Sequence, residues 1–147
     1  MDLLSAVLSE LRLESASYRR LELTAPWRLR FDGGLRGVHV VVAGSCSLTL
    51  DGEPPRTLAA GDLAVLPRAD SHRMSSVGDE RGPALSSLDL ARRTPGTGLE
   101  VGGGGAPTTV LCGAFFLRDD RHSAVDALPS LIHVPGRGGV RPPGWLA

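Results

Sequence analysis

Between Tyr18 and His72 this chain never holds one pattern for longer than a short strand before a turn residue stops it. Residues 18–24 alternate around Leu21 and Leu23, with Arg19, Arg20 and Glu22 between them, and Pro26 ends the run. Trp27-Arg28-Leu29-Arg30-Phe31 alternates strictly between apolar and charged side chains up to the Asp32-Gly33-Gly34 turn. Residues 38–42 form a β-branched run that ends at Gly44. Cys46, Leu48 and Leu50 then alternate into Asp51-Gly52, a strong hairpin signal. Residues 63–66 lie between Gly61-Asp62 and Pro67, and His72-Arg73-Met74 opens the next strand. Residues 108–117 read as strand again, broken at Gly113. Period-two runs of this length, separated by turns, build a sandwich, a jelly roll or a small barrel.

The remaining segments read differently. Residues 2–13 predict a short amphipathic helix capped by Asp2, with Leu4, Val7, Leu8 and Leu11 on the face that packs against the barrel. Residues 75–107, rich in Ser, Gly, Pro and Arg, predict a long mobile loop. Residues 124–131 predict a short helical segment interrupted by Pro129, and residues 136–147 a Gly/Pro-rich tail or linker. One domain over residues 1–135 accounts for the rest.

Charge and composition narrow the function. With 16 basic and 16 acidic residues the formal charge is balanced, so the basic excess of a domain that grips DNA or an anionic membrane alone is missing. The opening segment carries acids at Asp2, Glu10 and Glu14 and is no secretion signal, and no apolar run is long enough to span a bilayer. The expected compartment is the cytoplasm. There the two cysteines, Cys46 and Cys112, are expected as thiols or metal ligands, and a disulfide between them is disfavoured.

The segment Gly61-Asp62-Leu63-Ala64-Val65-Leu66-Pro67-Arg68-Ala69-Asp70-Ser71-His72 resembles the second cupin motif, G-x5-P-x-G-x2-H. Gly, Pro and His fall in register, and Ala69 stands where the motif has its second Gly. Gly61 supplies a turn that favours positive φ, residues 63–66 cross the barrel wall, and Pro67 ends the strand. His72 is then delivered to the barrel mouth. Val38-His39-Val40-Val41-Val42-Ala43-Gly44-Ser45-Cys46 stands where the first cupin motif belongs, but it has one His, no H-x-H pair and no Glu.

A narrower resemblance runs the length of the chain. Asp2-Leu3-Leu4-Ser5, Ala25-Pro26-Trp27, Val38-His39-Val40-Val41, Gly44-Ser45-Cys46, Leu58-Ala59-Ala60-Gly61-Asp62-Leu63, Leu66-Pro67-Arg68, Leu111-Cys112-Gly113 and Ala127-Leu128-Pro129 occur in order. Together they resemble the ligand-binding cupins of AraC-type transcription regulators. The resemblance implies a mainly β, double-stranded β-helix (jelly-roll) barrel with a short helix at each end. It also implies a small-molecule effector, a homodimer, and DNA contacts made only through a helix-turn-helix domain absent from this chain.

Two candidate sites follow. His39, Cys46, His72 and Cys112 are donors suited to tetrahedral zinc, and four of them closed around the ion would make the role structural. A single His or Cys in an apolar strand is more often a core residue, and both readings stand. The barrel interior is the other candidate, with Trp27, Leu29, Val41, Leu48, Leu66 and Phe115 as its expected lining. A sensor domain without catalytic residues is the preferred reading. A metal-dependent cupin enzyme, an isomerase or dioxygenase, is the alternative, and a dimerisation module is a third.

Overall fold

Backbone pairing turns these short runs into two facing sheets. The computed structural model describes residues 18–34, 36–93, 98–115 and 127–136. In chain order they form β1 (Tyr18–Thr24), β2 (Arg28–Phe31), β3 (Arg36–Ala43), β4 (Ser45–Leu50), β5 (Arg56–Ala59), β6 (Leu63–Leu66), β7 (His72–Ser75), β8 (Leu85–Ser86), α1 (Ser87–Arg93), β9 (Gly98–Gly102), β10 (Pro107–Phe115) and β11 (Ile132–Val134). One sheet has the order β11-β6-β3-β10-β1-β9, and the other β5-β4-β7-β2-β8. This is the mainly β, jelly-roll architecture that the resemblance implies, one of the three that the strand pattern left open.

Alternation decides which side chains face inward. On the first sheet, register aligns Arg19, Cys112 and His39 across β1, β10 and β3 as one row. Leu21, Val110 and Val41 form the next row inward. On the second sheet Phe31, His72 and Leu50 share a level, and Leu29, Met74 and Leu48 lie one step deeper. Those deeper rows, with Cys46, Leu58 and Leu66, are sealed from solvent and make the core. Full burial of each such side chain stabilises the fold by about 1.5–3 kcal/mol.

Three expectations from the sequence are corrected. The stretch 75–107 is not a structureless loop, because it carries β8, α1 and β9. β8 and β9 each add in parallel to a sheet edge, to β2 and β1 respectively. Such pairing uses backbone groups and needs little side-chain pattern, which is why no alternation announces it. The glycines at 102–105 are part of this packing. Gly103 and Gly105 donate to the carbonyls of Thr24 and Ala25, and a methyl group at Gly102 would collide with the Thr24 carbonyl.

Gly113 does not break β10, which runs through it with Tyr18 paired on one side and Val38 on the other. Residues 127–131 are turn and bend rather than helix, consistent with Pro129 removing a backbone donor. The start of that expected segment, the helix expected over residues 2–13 and the tail from residue 137 lie outside the described residues. No helix among the described residues is long and apolar enough to cross a membrane.

Candidate functional site

The turn into β6 sets the geometry of the site. Gly61 has φ 93°, in the left-handed region that favours glycine. Asp62 ties this turn down: its carboxylate accepts from the Ala59 N–H at 2.8 Å, the Gly136 N–H at 2.7 Å and His133 Nε2 at 3.0 Å. Burial pushes the Asp62 carboxyl up, but these hydrogen bonds outweigh it and hold it below the usual range. After Pro67 the chain reverses. Ala69, which stands where the motif has its second Gly, adopts φ 59°, in the left-handed region that favours glycine. His72 then enters β7 with its imidazole inside the barrel, 3% exposed.

Inside, the polar groups join end to end. His39 Nδ1 lies 3.0 Å from Cys112 Sγ, and His39 Nε2 lies 2.8 Å from His72 Nε2, so the bond between the imidazoles bridges the two sheets. His72 Nδ1 lies 3.2 Å from the Asp70 carbonyl oxygen. That last contact fixes the direction of the whole chain. A carbonyl only accepts, so His72 Nδ1 carries its proton and His72 Nε2 accepts. His39 therefore donates from Nε2 and accepts at Nδ1 from the Cys112 thiol.

Every group in this chain is neutral. Burial drives His39 well below the usual imidazole value, with the nearby His72 adding to the effect. Burial likewise takes His72 down to about 4, only partly offset by the Asp70 carbonyl and the charges of Asp51 and Asp70. Burial pushes the Cys112 thiol up, with a smaller contribution from Cys46. Phe31 packs over the pair, stacked on His72 with ring centroids 4.8 Å apart and edge-on to His39 at the same separation.

This row forms one wall of a cavity of about 310 Å³ at the barrel mouth. Leu21 and Leu29 lie beneath it, and Phe31, Gly37, Gly113 and Ala114 continue the wall. Ser87, Leu88 and Ala91 of α1 close it from the outside. Arg19 is the basic residue of the lining, and Asp32 the acidic one.

Of the lining expected from sequence, Leu29 is on the cavity wall. Trp27, Val41, Leu48 and Leu66 lie instead in the closed core. Val41 and Leu48 point inward in the same rows as Leu21 and Leu29, which do reach the cavity, but they sit on β3 and β4, farther across each sheet, where the two sheets already fill the space. The Phe115 side chain lies outside the described residues. Sequence reasoning missed Arg19, Phe31 and Gly37. Gly37 carried a usable signal, since a glycine heading a β-branched run often marks a place where something must approach closely.

The four sulfur and nitrogen donors do not converge. Cys46 pairs with Leu58 at the far end of β4, four residues from Leu50, which is the neighbour of His72. At about 3.3 Å per residue that is roughly 13 Å along the strand, too far to share an ion. Its thiol is sealed in the core and pushed up to about 12, by burial first and by Asp62 second.

A scan of the sequence against family profiles decides the family: the one described as Cupin matches residues 2–146. The chain belongs to the cupin family. Among solved structures this cupin is similar to the protein YhaK from Escherichia coli, at 13% identity and a TM-score of 0.48, over 89% of this chain and 47% of that one. It is also similar to an apo ToxT variant from Vibrio cholerae, at 10% identity and a TM-score of 0.48, over 84% and 43% of the two chains. This cupin thus spans under half the length of either. No curated protein matches it.

The metal that the cupin motifs imply does not fit the donors of this barrel. His39 spends its two ring nitrogens in opposite directions, on Cys112 and on His72. One ion can take only one of those nitrogens. The positions two residues either side of His39 are Gly37 and Val41, so no second imidazole stands beside it on this strand. Among the described residues no group of three or more His, Cys, Asp or Glu is arranged to hold a metal ion.

Proposed function

We propose that this cupin is a ligand-sensing domain, the regulatory half of an AraC-type transcription regulator, and that it holds a small molecule at the barrel mouth. The observation that carries this reading is the cavity of about 310 Å³, walled mainly by apolar side chains and by a polar chain whose members already bond one another. A wall of that kind recognises by shape and apolar contact. It is poorly suited to proton transfer, because a general acid or base works best with a pKa near the operating pH. Burial takes both imidazoles below that range and the thiol above it.

The AraC assignment draws on the ordered sequence resemblance from residue 2 to about residue 135. α1 offers a route from ligand to response. It supplies Ser87, Leu88 and Ala91 to the cavity, while Leu88 remains 48% exposed. A molecule that contacts these residues in one position of α1 and not in another shifts the balance between the two. In this reading DNA is contacted by a helix-turn-helix unit outside residues 1–147, and the chain pairs as a homodimer.

The test is thermal unfolding of the full chain against a library of small metabolites, with Gly37→Leu as the control. A β-carbon at Gly37 meets only ordinary contacts, 3.6 Å from His39 Nε2 and 3.7 Å from Leu66 Cδ1, and a longer side chain runs into the cavity. A ligand should raise the Tm of the native chain and leave that of Gly37→Leu unchanged. An equal rise in both would place the ligand elsewhere and overturn the reading.

A further inference from the structure

We propose that the molecule held at the barrel mouth is a compact monoanion, a carboxylate on a small apolar body, and that Arg19 is the residue that binds its charge. This rests on the reading of the cavity as a ligand site and adds the chemical class.

The polar wall has its hydrogen-bonding groups already engaged. The Cys112 thiol proton is spent on His39, the His39 proton on His72 and the His72 proton on the Asp70 carbonyl. Both accepting ring nitrogens are occupied as well. The chain therefore has no donor free for a ligand. Arg19 stands next to Cys112 in the same inward-facing row and lines the same cavity. Its Nη2 donates to the Ala91 carbonyl at 3.4 Å, which holds the guanidinium against α1. Its Nη1 is buried and has no hydrogen-bond partner among the described residues. A buried donor on a permanent cation is costly to leave unpaired, and a carboxylate is the partner whose geometry it fits.

The charge balance agrees. The imidazoles and the thiol contribute no charge. Asp32, the acid of the lining, is paired with Arg30 at 3.0 Å, and both of those side chains are half exposed to solvent. Among the described residues the inner wall thus keeps one uncompensated positive charge. The body of the ligand follows from the remaining lining: Leu21, Leu29, Phe31, Leu88, Ala91 and Ala114 offer no polar side-chain atoms, and the Ser87 hydroxyl is the one neutral polar group added to them among the described residues. Filled at a packing density of about 0.75, the cavity holds a molecule of about a dozen non-hydrogen atoms, the size of a one- or two-ring acid.

Calorimetric titration of the full chain with benzoate, phenylacetate and indole-3-carboxylate, each against its primary amide, tests this. Arg19→Gln and Arg19→Lys are measured alongside, with circular dichroism as the folding control. At least one acid should bind tenfold or more tighter than its amide, with Arg19→Gln erasing the difference and Arg19→Lys keeping part of it. If Arg19→Gln fails to fold, the acid-to-amide ratio in the native chain still decides. Acids and amides binding equally would overturn the assignment of charge while leaving the cavity a ligand site. Binding of neither at millimolar concentration would overturn both.

Discussion

His39 and His72 share one proton across the gap between the two sheets: their Nε2 atoms lie 2.8 Å apart, and only His39 can be the donor. The Asp70 carbonyl imposes this, because it claims the Nδ1 proton of His72. The two imidazoles thus work as a one-way strut between β3 and β7. They do so while neutral, and this gives the barrel a dependence on pH.

Both imidazoles titrate below their usual value when the chain is folded. Between pH 6.5 and about 4 the unfolded chain binds protons at these positions that the folded chain does not. Stability is therefore full above pH 6.5 and falls as pH drops through that window. His72 alone, lowered from 6.5 to about 4, accounts for a loss on the order of 3 kcal/mol. Urea midpoints measured from pH 7.5 to 4.5 should decline steadily. A flat profile across that range would show that the imidazoles are not held neutral.

Ala69 stands in a glycine's conformation, with φ 59°. A non-glycine residue there costs about 1–2 kcal/mol. Glycine's extra freedom in the unfolded chain takes back about 0.4–1 kcal/mol. Ala69→Gly should therefore stabilise the chain, by up to about 1.6 kcal/mol, with the ligand site unchanged. A lower Tm in the variant would mean that the turn is not strained.

The tie between these turns and the site shows how much the sequence held. The residues of the second cupin motif announced Gly61, Pro67 and an inward His72, and the structure has the glycine at positive φ and the imidazole inside. Alternation marked the inward side of β2, where Leu29 is buried between two more exposed arginines, but not of β3, whose residues 37–41 are buried on both sides and carry no alternation. Position across the barrel was not legible. Val41 and Leu48 face inward like Leu21 and Leu29, and only the register between strands shows that in these shared rows they lie on the strands farther from the cavity. Register also aligns Arg19 with Cys112 and His39, residues far apart in sequence. β8 and β9 stayed hidden for a related reason, since edge pairing is carried by backbone groups.

Zinc content follows from the divergent nitrogens of His39 and the distance of Cys46. The purified chain should retain well under one equivalent of zinc by elemental analysis. His72→Ala should leave that value unchanged. One tightly held equivalent that disappears in His72→Ala would require His39 to turn away from Cys112 and would overturn the hydrogen-bond chain.

That chain is also open to direct observation, because each imidazole nitrogen reports its own proton. Long-range proton–nitrogen NMR spectra of the histidine rings at pH 7 should show two neutral rings of opposite tautomer, His39 protonated at Nε2 and His72 at Nδ1. Both ring signals should move when a molecule that raises the Tm is added, since both rings line the cavity. An imidazolium at either position, two rings of the same tautomer, or ring signals indifferent to a stabilising ligand would contradict a neutral polar wall facing a sensing cavity.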